Sequence, residues 1–166
     1  MKSLPENLVL YREQLQYGAI QEAYKGLMEY ILSLKTQFKN RHPEFAVPSN
    51  IYFGYMDMTY FSIVPEALKS RGLKIAIVFL HREFRFEVWL AGVNKDVQAD
   101  YWKRISDSGW DEYRLMPTLK GADSILENVL VENPDFNDLN ALTNQIEQET
   151  LKFINEVESF FSRSNF

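Results

Sequence analysis

Arg85, Glu87 and Trp89 recur at every second position in the stretch FRFEVWLAG, the most chemically mixed run in the sequence. Residues two apart on a strand point to the same side, so a guanidinium, a carboxylate and an indole would stand in a row. Two uses follow. The row could be structural, Arg85 pairing with Glu87 while Trp89 covers them. Alternatively it could line a site with Tyr52, Tyr60 and Trp102 or Trp110, where aromatic walls and a few charges suit a small polar ligand or a protein partner.

Other chemistry-bearing residues are sparse. The two histidines, His42 before Pro43 and His81 in a polar turn, have neither HxxxH nor HExxH spacing, and both read as surface residues. With no cysteine in the chain, a disulfide framework and a thiolate metal site are both excluded. No GxSxG elbow supports a serine nucleophile, and neither GxGxxG nor GxxxxGK[ST] offers a phosphate cradle. The sequence therefore calls for no cofactor and no metal.

Composition fits one folded domain over residues 1–166, with 46% hydrophobic and 14% aromatic residues. The net charge of −5 is unevenly spread: residues 1–85 hold eleven basic against eight acidic side chains, residues 86–166 seven against fifteen. An acidic second half argues against general nucleic-acid binding, which needs clustered Lys and Arg. No run reaches the length of a membrane span, and a cytoplasmic protein is expected.

These residues must be positioned by elements whose signals are regular. Ser3 to Glu6 has the form of a capping box, and after a break near Gly18 the positions Ile20, Tyr24, Leu27, Ile31, Leu34 and Phe38 mark a long amphipathic helix. Ile51 to Ile63 reads as one bent strand or two short ones. Pro65 opens a short helix that Gly72 closes. Leu73 to Leu80 is apolar on both sides, a covered strand. Phe84 to Ala91 alternates, with Phe84, Phe86, Val88 and Leu90 on its core face. The two form a hairpin through His81, Arg82 and Glu83, a loop longer than the tightest turns. Asn94 caps a helix through Ile105 that Gly109 ends. Tyr113 to Met116 and Ile125 to Val131 are weaker strands, and Leu139 to Phe160 is a last long helix. The class is α+β, a small, mainly antiparallel sheet centred on the hairpin at 73–91 and covered by long N-terminal and C-terminal helices.

Two resemblances accompany this reading. The order helix, three strands, helix, strand resembles the restriction-endonuclease-like nucleases, which hold a divalent metal between an acid on one strand and an acid-x-Lys on the next. That resemblance implies Asp57 and Glu87 as metal ligands. Trp89 stands where the lysine belongs, which leaves Lys74 as a displaced substitute. The segment FEVWLAG followed by an Asn-led helix also resembles a bacterial domain family of unknown function. The residues favour a non-enzymatic binding or interaction domain that uses Arg85, Glu87, Trp89, Tyr52, Tyr60 and Trp102, with a homodimer as one form of the partner. The nuclease is the alternative.

Overall fold

The turn signals in the sequence fall at element boundaries in the computed structural model, which describes residues 1–166. In chain order these are α1 (Leu4–Leu15), α2 (Ala19–Arg41), β1 (Met58–Ile63), α3 (Glu66–Lys69), β2 (Leu73–Leu80), β3 (Arg85–Gly92), α4 (Lys95–Ser108), β4 (Arg114–Leu115), β5 (Leu126–Glu132) and α5 (Leu139–Arg163). The fold is α+β, with helices at both ends of the chain and a sheet antiparallel at every pairing. No helix is long and apolar enough to cross a membrane.

Residues 1–37 and 38–166 form two compact units. The first holds α1 and most of α2. Glu6 accepts from the Ser3 backbone N–H at 2.6 Å and from the Ser3 hydroxyl at 2.9 Å, closing the first turn. Gly18, at φ 74°, supplies the left-handed residue that separates the two helices. None of the α1 residues is buried. Within this unit burial on α2 selects Met28, Tyr30, Ile31 and Leu34, of which Met28, Ile31 and Leu34 keep the spacing of one helix face.

The second unit is built on the sheet, in the order β1-β2-β3-β5-β4. Leu80 opposes Arg85, so His81 to Phe84 make the hairpin turn. This corrects the sequence expectation for Phe84, which lies outside the strand at φ 53° and 48% exposed. Closing the loop requires a left-handed residue, and edge-on contacts of the Phe84 ring with Phe79 and Phe136 offset the strain.

Residues directly opposed across a sheet share a face. One face carries Phe61, Ile63, Ile75, Ile77, Phe79, Phe86, Val88 and Leu90, each no more than 2% exposed. Burying each of these side chains contributes about 1.5–3 kcal/mol. The lead-in to α5 lies on this side, since Phe136 packs on Phe79 and Phe86, and Phe38 at the end of α2 meets Phe61. Between β3 and β5 a bulge shifts the register at Phe86 and Glu87. At the far end of β3 the chain enters α4 through Gly92, and the Asn94 side chain accepts from the Val97 N–H at 2.9 Å as an N-cap.

Candidate functional site

The second face of the sheet has a different population. Pairing places Met58, Leu80, Arg85 and Glu132 in one row across it, then Tyr60, Val78, Glu87 and Val129. A third row holds Ser62, Ala76, Trp89, Glu127 and Arg114, and Lys74 with Ala91 completes the set. The apolar residues packed together here, Ala76, Val78 and Trp89 with Met58, Tyr60 and Leu80, are strand residues alone. Tyr52, bridged to the edge of β1, stacks its ring on Tyr60 at 5.1 Å. Five of the six residues proposed from the sequence thus come together on one surface.

Glu87 is the centre of that surface and only 2% exposed. A buried carboxylate is tolerable only when charge and hydrogen bonds compensate its lost hydration. Arg85 supplies both, its Nε donating to Glu87 Oε1 at 2.8 Å and its Nη2 lying 2.6 Å from the same oxygen. Trp89 Nε1 donates to Oε2 at 2.6 Å. The third guanidinium nitrogen reaches Glu132 at 3.0 Å, so Arg85 bridges two carboxylates. Burial alone would lower the Arg85 pKa, but the hydrogen bond and charge of Glu87, with those of Glu132, outweigh it and raise the value. The sequence left open whether Arg85, Glu87 and Trp89 form a structural row or line a site. The structure makes them one network with its polar atoms satisfied, beside apolar residues that come from the strands.

Two hollows of about 200 Å³ each open on this face. One lies between the Arg85 and Glu87 pair and the Tyr113, Arg114, Glu127 edge. Arg114 is held 3.5 Å from Glu127, which also accepts from Ser124 at 2.7 Å. The other is bordered by Trp89 and Tyr60, floored by Ala76 and Ala91, and rimmed by Lys74 and Asp123. A larger opening of about 460 Å³ at the end of α4 is walled by Trp110 and Tyr113. Those rings are engaged in packing, Trp110 stacked on Phe160 at 4.1 Å and Tyr113 against Phe153, with its hydroxyl donating to Glu156.

Other residues singled out by sequence lie elsewhere. Trp102 donates its indole N–H to the Met116 carbonyl at 2.7 Å, which ties α4 to the chain after β4 rather than joining Trp89. Both histidines are less open than a surface reading implies. His42 is 2.6 Å from Glu147, which also pairs with Arg41, and its ring stacks on Phe45. His81 bonds Thr59 at 2.9 Å, and because the Thr59 hydroxyl donates to the Phe53 carbonyl, the His81 Nε2 is the donor. Burial lowers the His81 pKa, with the Asp57 carboxylate opposing it.

The alternative set Asp57, Glu87 and Lys74 does not converge. Asp57 sits in the turn before β1, accepting from the Tyr55 N–H at 2.8 Å. Backbone hydrogen bonds from Tyr55 and Met58 hold its carboxyl below the usual range. Counting strands and residues along the register places it roughly 14 Å from Glu87, and Lys74, opposite Ala91, lies about as far away toward the other end. No group of three or more His, Asp or Glu side chains is arranged to hold a metal ion.

Fold and face together define a class, an α+β domain whose antiparallel sheet carries an apolar core on one face and a mixed aromatic-charged network on the other. Residues 4–161 match the family described as Domain of unknown function (DUF7000), and the chain belongs to that family. The likeness carried by FEVWLAG and its Asn94-led helix, to a domain family of unknown function, agrees with this. No curated protein and no solved structure matches the chain, and the restriction-endonuclease-like topology gains no support.

Proposed function

We propose that the chain is a non-enzymatic binding domain that holds a small polar ligand or a protein partner on the mixed aromatic-charged face of its sheet. The observation that carries this reading is the network of Trp89, Glu87, Arg85 and Glu132, held on the face where Tyr60 and Tyr52 also stack. Burying a carboxylate as deeply as Glu87 is costly unless its partners are fixed. Here the fixed partners present one indole face and one guanidinium beside two hollows, the mixture of apolar wall and few polar groups that small-ligand sites use.

The three tryptophans give the test a readout. Each indole N–H produces its own proton–nitrogen NMR signal, and only that of Trp89 belongs to this face. Screening polar metabolites and candidate partner proteins against the labelled chain is expected to shift the Trp89 signal and leave those of Trp102 and Trp110 in place. Binders that move only Trp102 or Trp110 would assign function to the α4 end and remove the case for this face.

A further inference from the structure

Most charged side chains on this face are paired: Arg85 with Glu87 and Glu132, and Arg114 with Glu127. Lys74 and Asp123 differ. Both line the hollow beside Trp89, yet they form no ion pair with each other or with any other residue. An ammonium and a carboxylate that share one cavity without meeting offer two contacts of opposite sign to whatever enters. The floor between them is made of the small residues Ala76 and Ala91, which leave the space open, and Tyr60 and Trp89 supply aromatic sides. At about 200 Å³ the hollow is smaller than the roughly 300–1,000 Å³ pockets of drug-sized ligands.

We propose that this hollow binds a free α-amino acid with an apolar side chain of about leucine or methionine size, a class that matches the small, aromatic-sided cavity. The ligand carboxylate meets Lys74 Nζ, its ammonium meets the Asp123 carboxylate, and its side chain lies over the alanine floor against Trp89 and Tyr60. Opposite charges at both ends reject molecules carrying only one of them, because the unmatched protein charge would be desolvated without a partner. The assignment rests on the binding-domain reading above and names its ligand class. Ordering the ligand beside Trp89 also explains why the indole is pinned to Glu87, since a fixed wall loses less freedom on binding.

Calorimetric titration of the full chain with leucine and methionine tests this, alongside 4-methylpentanoate, which lacks the ammonium, and 3-methylbutylamine, which lacks the carboxylate. The amino acids are expected to bind and to shift the Trp89 indole signal. The single-charge analogues are expected to bind at least about tenfold more weakly, the scale of one lost charge-assisted contact. Lys74→Gln and Asp123→Asn should each weaken amino-acid binding to the same degree while unfolding at the wild-type urea concentration, because neither side chain has an ion pair to lose. Equal binding of the carboxylate analogue would make the hollow a simple anion site and overturn the assignment, as would unaltered binding in either variant. If amino acids leave Trp89 unmoved while other polar compounds or a protein shift it, this ligand class fails and the binding face survives. If nothing shifts Trp89, both fail.

Discussion

Glu87 shows how one buried charge can organise a surface. Its oxygens accept from Arg85 and from Trp89, so each neighbour is held by the carboxylate and covers it in return. Removing one donor tests the strength of this arrangement. Trp89→Phe keeps an aromatic ring over the face but leaves Glu87 Oε2 without its donor, and is expected to cost about 1–3 kcal/mol in urea unfolding. Glu87→Gln should fall in the same range, because it replaces a carboxylate that accepts only with an amide that brings donors to donors. A loss below about 0.5 kcal/mol in both, the level of ordinary surface changes, would show the network to be incidental. His81 gives a pH test. Burial disfavours its charged form, so its folded pKa lies below the ordinary 6.5. Its contribution is therefore present above that value and lost as pH falls through the lower folded one. Stability should decline on the acid side of about pH 6.5, and less steeply in His81→Gln. His42 is retained in both chains, so the difference between their urea midpoints at each pH isolates His81.

At the scale of elements, the junction from β3 into α4 has almost no room. A Cβ built on Gly92 would lie 2.6 Å from the Gln98 N and 2.9 Å from the Asn94 O, both backbone atoms of the helix start. Gly92→Ala must push the strand end away from the cap or break the Gly92 N–H bond to Gln98 Oε1, now 3.1 Å. A cost of about 1–3 kcal/mol is expected, as for other overpacked sites, with slower unfolding a result that would refute it. Asn94→Ala, which removes only the cap, should cost about 1 kcal/mol. Elements like these were legible in the sequence because their signals are local. Asn94 followed by an amphipathic run, Gly109 after it and Gly72 after Pro65 each specify backbone geometry within a few residues. Phe84 misled because alternation continues across it by composition, whereas loop closure, a four-residue constraint, claims it for the turn.

The whole molecule brings together residues that no sequence window joins. Arg85, Glu87 and Trp89 could be read as a row from spacing alone, and Tyr60 and Tyr52 from the aromatic content of their strand. Asp123, Glu127, Arg114 and Glu132 could not, because β5 lies beside β3 only through the sheet order β1-β2-β3-β5-β4. Trp102 shares the aromatic character of Trp89, Tyr52 and Tyr60 but not their face, its indole N–H donating to the Met116 carbonyl instead. The same global view separates what stabilises the molecule from what merely belongs to it. No residue of α1 is buried, and Leu4, Leu8 and Tyr11 are all more than half exposed. A single helix of this length is marginal by itself in water and gains stability in proteins mainly by burying a face. Deleting Met1–Tyr17 should accordingly leave the urea midpoint and the slope of unfolding unchanged, since the slope follows the surface exposed on unfolding and α1 hides little. Far-UV circular dichroism should lose one helix of signal with no change in near-UV tryptophan bands. A drop of more than about 1 kcal/mol would be well beyond the usual effect of surface changes. It would mean that α1 is held by contacts outside the monomer, and the same deletion would then make stability independent of protein concentration where the full chain's is not.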